Sequence, residues 1–155
     1  MTNINYSNKF LDSRLNNLVD LFGETFKISI KGVFVLLLSY GLNNEVELGT
    51  FKYQTRGKEF RASTDPIYDT AIFSLISTYL KREGKIKDLS KILSDDNEIE
   101  ILLNNLVNIA SAAGVSLLNK ELSSYKGVVT NRDKEYFMID VLNTIFIPLE
   151  EKELF

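Results

Sequence analysis

The sequence predicts an all-α protein, a compact bundle of about five to six helices with one long irregular loop or short hairpin at about 43–64. Three observations carry that expectation. Apolar residues recur at helical spacing along most of the chain, the segment VFVLLL at Val33 to Leu38 has no polar face, and the helical pattern lapses from Asn43 to Thr64. A helix that is apolar almost all round has to be covered on more than one side, and a bundle does this.

The elements follow in chain order. Leu11, Leu15, Leu18 and Phe22 fall on one stripe of a first helix that Gly23 can close. Ser29 is placed to cap a second helix through Tyr40, with Gly41 at its end. VELGTFKYQTRGKEFRAST then mixes short alternating pieces with Gly49 and Gly57, the composition of a loop or irregular hairpin. Asp65 and Pro66 supply a cap and a first-turn proline for a third helix, whose stripe is Ile67, Ala71, Ile72, Leu75, Ile76, Tyr79 and Leu80 and whose end lies near Gly84.

KIKDLSKIL reads as a short fourth helix capped by Asp88. Asp95 and Glu98 have the spacing of a capping box for a long fifth helix carrying Ile99, Leu103, Leu106, Ala110, Ala113 and Leu117 on one face. Within it, IASAAG at Ile109 to Gly114 lets another backbone approach closely. Glycine there costs about 1 kcal/mol relative to alanine, so close packing or a kink is the expected compensation. Thr130 and Asp133 suggest a box for a last helix bearing Tyr136, Phe137, Ile139, Val141, Leu142 and Phe146, stopped before Pro148. One domain over 1–155 is expected, with 147–155 a mobile acidic tail.

Composition narrows the chemistry. With no Cys and no His, the chain has no disulfide, no thiolate nucleophile, no imidazole-based triad and no nitrogen- or sulfur-ligated metal site of its own. Carboxylates, Lys, Tyr, Ser, Thr and oxygen-only magnesium or calcium sites remain. No Gly opens a GxxxxGK[ST] or GxGxxG pattern. No cofactor is expected. The start MTNINYSNKF is polar, and VFVLLL is far shorter than the roughly 20 apolar residues that cross a bilayer, so a cytoplasmic protein without membrane contact is expected.

The stretch TRGKEFRASTDPIYD concentrates the candidate chemistry. Asp65 and Asp69 lie four apart, with Tyr68 between them, the spacing of two carboxylates on one helix face. The same residues serve as a cap and a favourable charge at the positive helix end, which is the simpler reading. The region 52–91 holds nine basic residues against five acids, a balance of +4 in a chain whose net charge is −3. Lys52, Arg56, Lys58, Arg61, Lys81, Arg82, Lys85 and Lys87 are therefore the candidate anion or nucleic-acid contacts, with Phe51, Tyr53 and Phe60 interleaved for base stacking. An isoelectric point near 5.1 argues against a dedicated nucleic-acid binder.

Three segments taken together, FKISIKGVFVLLLSYGLNN (Phe26 to Asn44), GKEFRASTDPIYDTAIFSL (Gly57 to Leu75) and LVNIASAAGVSLLNKEL (Leu106 to Leu122), carry a family likeness. In order and spacing this chain resembles the small accessory proteins found beside phosphorothioate DNA modification (Dnd-type) and related bacterial antiphage clusters. The resemblance spans Leu11 to Leu122. It departs from that pattern at Val107 and Asn108, where those proteins tend to carry an aromatic and an acidic residue. It implies a non-enzymatic partner of a larger defence machine and transfers no catalytic residue.

Three readings from different classes follow. The first is a protein-interaction subunit of a bacterial defence or DNA-modification system, with a protein partner or a homo-oligomer formed through Ala110, Ala113 and Gly114, the last helix, or the chain end at Leu154 and Phe155. It calls for a contiguous apolar surface and no deep polar pocket. The second is a DNA-associated subunit using the basic 52–91 region. The third is a carboxylate-dependent enzyme centred on Asp65, Asp69 and Tyr68.

Overall fold

The fold is built around the helix that the sequence leaves without a polar face. The computed structural model describes residues 9–44, 56–60 and 66–120, together with helical residues Arg132, Glu135, Tyr136, Ile139, Asp140 and Asn143. Residues 45–55 and 61–64 of the expected loop or hairpin, the cap at Asp65, the capping box at Thr130 and the tail at 147–155 lie outside the described residues. The described elements are β1 (Lys9–Asp12), a 3-10 turn (Ser13–Leu15), α1 (Asn16–Phe26), α2 (Ile30–Asn43), β2 (Arg56–Phe60), α3 (Pro66–Arg82), a second 3-10 turn (Ile86–Asp88), α4 (Leu89–Leu93) and α5 (Asp96–Lys120). Among the described residues the architecture is a helical bundle with one small two-stranded sheet.

α2 sits at its centre. The Gly32 N–H donates to Ser29 Oγ at 3.2 Å, the expected cap, and Val33, Phe34, Leu37, Leu38, Tyr40 and Leu42 are all buried. Its principal neighbour is α5, and α1, α3 and β2 cover the rest. The two central helices approach through small residues. A Cβ at Gly41 would lie 2.7 Å from Ile109 Cγ2 and 3.1 Å from Ala113 Cβ, and one at Gly114 would lie 2.7 Å from Leu15 Cδ1. This close approach is the compensation that a glycine inside α5 requires.

α5 is capped from Asp95, whose Oδ1 accepts from the N–H groups of Asn97 at 2.9 Å and Glu98 at 3.3 Å. Ile99, Leu103, Leu106, Ala110, Ala113 and Leu117 are buried as the periodicity predicts. Its stretch Asp96–Leu118 is long and apolar enough to cross a membrane by length and composition, and 67% of the window is buried inside this fold, as in the core helix of a bundle. α3 ends as expected at Gly84, which adopts φ +71° while the Lys85 N–H reaches back to the Leu80 carbonyl at 2.7 Å. At α4, Asp88 holds the cap position without a side-chain hydrogen bond.

The N-terminal end departs from expectation. Leu11 belongs to β1 and α1 begins only at Asn16, yet Leu11, Leu15, Leu18 and Phe22 all reach the core. A short strand followed by a 3-10 turn returns Leu11 to the side that helical spacing predicts. β1 pairs antiparallel with β2, matching Lys9 with Phe60, Phe10 with Glu59 and Asp12 with Arg56, with an irregularity between Phe10 and Asp12. α1 also runs past Gly23 to Phe26, and Lys27 takes the left-handed closing position at φ 56°.

Two charged residues fasten this sheet to the bundle, Lys9 through its side chain and Asp12 through its backbone N–H. Lys9 is buried, forms an ion pair with Glu100 and donates to Asn104 Oδ1 at 2.9 Å, both on α5. Asp12 is also buried. Its carboxylate accepts from the Arg14 backbone N–H and Nε at 2.9 Å and from Arg14 Nη2 at 2.7 Å, and its own N–H donates to Ser111 Oγ at 3.2 Å. Each charge has lost water, and each has partners that offset the loss.

Two stability predictions follow from these contacts. A Cβ at Gly57 would collide with the Leu11 carbonyl oxygen and lie 2.8 Å from the Asp12 carbonyl carbon, and backbone cannot step aside by changing a rotamer. Gly57→Ala is expected to cost about 1–3 kcal/mol, or more if the β1–β2 register breaks, read as a lower midpoint in thermal melts. The Arg14 hydrogen bonds hold the Asp12 carboxyl below its ordinary value of 3.8, against the opposing effect of burial. A depressed folded-state pKa adds stability that is complete above the unfolded value, about 3.9, and is lost as pH falls through the folded value. Asp12→Asn should lower stability near neutral pH by about 1–3 kcal/mol. Denaturant titrations at pH 7 and in acid should show the gap from wild type closing in acid.

A candidate docking groove

An open groove forms where the end of α3, the turn into α4 and the first half of α5 meet. Its volume is about 260 Å³. Leu80, Ile92 and Leu102 give it apolar lining, and Leu80 and Leu102 also belong to the core. Tyr79, Glu83, Lys85, Asp88, Lys91, Glu98 and Asn105 bring polar groups to it. Ile101 stands at the groove and is 56% exposed, although its neighbours Ile99, Leu102 and Leu103 are buried.

Helix geometry explains Ile101. The buried stripe of α5 leaves Asn97, Ile101, Asn104, Asn105 and Asn108 on the other side, so Ile101 is an aliphatic residue set in a row of asparagines. Ile86, on the turn before α4, is a second exposed aliphatic at 38%. Burial raises the pKa of the Tyr79 hydroxyl and the nearby Glu83 charge raises it further, against the lowering effects of an Asn105 hydrogen bond and Arg82. The phenol therefore stays neutral at physiological pH and acts as a hydrogen-bonding group. None of Tyr79, Ile101 and Asn105 stands out by residue type. Their signal in the sequence is one apolar residue out of phase with its helix, opposite a tyrosine that is in phase with α3.

The basic residues do not gather into one patch among the described side chains. Lys58 pairs with Asp20 at 3.0 Å and lines an open depression shared with Ser29 and Ile30, at the N-terminus of α2. Arg82 Nη1 donates to the Leu42 carbonyl at 3.3 Å, at the other end of α2. Twelve helical rises separate those ends, about 18 Å. Lys81, Lys85 and Lys87 are exposed on the Arg82 side. Arg56 contributes its backbone to β2, and Lys52, Arg61, Phe51 and Tyr53 lie outside the described residues. Phe60 is 4% exposed and stacks on Phe34 with ring centroids 4.7 Å apart, so it is a core residue and not a surface for bases.

The other candidates are placed as follows. Ala110, Ala113 and Gly114 are buried inside the bundle, and the backbone they admit is the chain's own α2, so this small-residue face is not open to another protein. Tyr136 and Ile139 are exposed, at 55% and 47%, and Arg132 lies 5.7 Å from the Tyr136 ring centre. Asp65 and the side chains of Tyr68 and Asp69 lie outside what is described, as do Leu154 and Phe155. Among the described residues no three acidic side chains converge as a metal-holding group.

Comparison with known proteins adds no relative: no family model, no curated protein and no solved structure matches this chain.

Proposed function

We propose that this chain is a non-catalytic protein-interaction subunit, an adaptor or accessory component, working in the cytoplasm of a bacterial defence or DNA-modification system. The observation that carries the interaction reading is Ile101, 56% exposed beside a groove lined by Leu80, Ile92 and Leu102. A single exposed aliphatic is ordinary, but one set beside a concavity with apolar lining and polar edges has the composition of a docking site. The likeness of the three quoted segments to Dnd-type accessory proteins supplies the cellular setting.

A second reading draws on Lys81, Lys85, Lys87 and Lys91, which are exposed around the end of α3 and could together neutralise phosphates. The separation of Lys58 from this group limits it to a short contact.

One experiment addresses both. A photo-crosslinking residue at position 101 is expected to give a discrete product heavier than the monomer in the cells the chain comes from, and the same residue at exposed Asn17, on α1, should give little. Equal and diffuse labelling from both positions would remove the interaction reading. Binding to a short DNA duplex that weakens linearly in log salt would instead favour the phosphate reading.

A further inference from the structure

Residues 9–15 are compatible with two conformations. Leu11, Leu15, Leu18 and Phe22 are all buried, and their spacing is that of one helix face. The chain nevertheless leaves the helical region at Asp12, with φ −56° and ψ 137°, directly before the 3-10 turn that leads into α1. Leu15 and Asn16 are already right-handed, so the alternative to β1 is a longer α1.

Lys9 separates the two forms. On a strand, residues two apart share a face, and Lys9 and Leu11 are both buried with Phe10 only partly so. On a helix the same separation is a turn of about 200°, which carries Lys9 to the side away from Leu11 and into water. In the strand its ammonium is enclosed, paired with Glu100 and donating to Asn104 Oδ1 at 2.9 Å. The Asp12 N–H also donates sideways to Ser111 Oγ at 3.2 Å, whereas inside a helix it would point along the axis to a carbonyl of its own segment.

We propose that residues 9–15 are a two-state segment, strand in one state and an N-terminal extension of α1 in the other, with the Lys9–Glu100 pair as the latch that selects the strand. Leu11 and Leu15 fall on the buried stripe in either state, so the polar contacts on α5 decide between them. Setting a single conformation is the best-attested role of a buried ion pair. Release of the latch withdraws β1 and leaves the backbone of Arg56–Phe60 without its paired strand, an edge open to another chain. This inference stands apart from the groove and does not rest on it.

The test is nuclear magnetic resonance on the full chain, read from the backbone carbon shifts of Phe10 and Leu11, whose deviation from coil has opposite sign in strand and helix. Wild type is expected to show strand shifts. Glu100→Ala removes the carboxylate paired with Lys9 and leaves a buried charge, which is costly in the strand and returns to water in the helix. Both residues should then change sign, and Glu100→Gln should act in the same direction if the alanine chain fails to fold. Lys9→Met breaks the same pair from the other side. It leaves no buried charge, and the Glu100 side chain, 43% exposed, stays solvated, so the strand should persist. The chain carrying both Lys9→Met and Glu100→Ala should also keep it. A contact that only adds stability gives strand shifts in every variant, with lower melting midpoints. Strand or coil shifts in both Glu100 variants would overturn the proposal, and so would helical shifts in Lys9→Met.

Discussion

The fold depends on one constraint: α2 has no polar face and has to be enclosed. The enclosure is tight because glycines stand where the neighbouring helices come closest, Gly41 against Ile109 and Ala113, and Gly114 against Leu15 and Leu37. Side chains at either position would push the two central helices apart and open voids along a close-packed core. The small-residue segment of α5 is thus accounted for inside the molecule. What remains of α5 for the outside is its asparagine face with Ile101.

The sheet is the second layer of that enclosure. β2 places Phe60 on Phe34, and β1 carries Leu11 into the core next to the 3-10 turn that holds Leu15. Neither strand is long, and a pair of short strands is marginal by itself. The buried Lys9 and Asp12 link it to α5 through Glu100, Asn104 and Ser111, so the N-terminal strand, the small sheet and the central helix pair are coupled. Polar contacts of this kind bear on which arrangement is adopted more than on total stability, because paired charges gain little over a well-packed apolar substitute.

Much of the helical framework was legible in the residues. α3 and α5 have long amphipathic stripes, α3 has a glycine stop at Gly84 and α5 an aspartate cap at Asp95, and these local signals agree with where the chain packs. β1 was not legible. KFLD is four residues long, and Leu11 continues the spacing of Leu15, Leu18 and Phe22, so a helix and a strand followed by a turn present the same apolar positions to the core. The stop at Gly23 failed for a related reason, since the chain closes α1 at Lys27 in a conformation that glycine more often takes. The groove was the least legible feature. Its parts come from α3, α4 and α5, and only their packing brings Tyr79, Ile92, Ile101 and Asn105 together. The basic cluster reversed that situation: close in sequence, it is divided by the length of α2.

We propose the groove between α3, α4 and α5 as the face at which this chain is bound. Hydrogen exchange of the full chain, measured alone and in the complex recovered with it from cells, tests this most directly. Binding at the groove slows exchange in the backbone of residues 79–92 and 97–105 in the complex, while the enclosed α2 stays protected throughout. Unchanged exchange in those two segments, or added protection confined to the region of Tyr136 and Ile139, would contradict it.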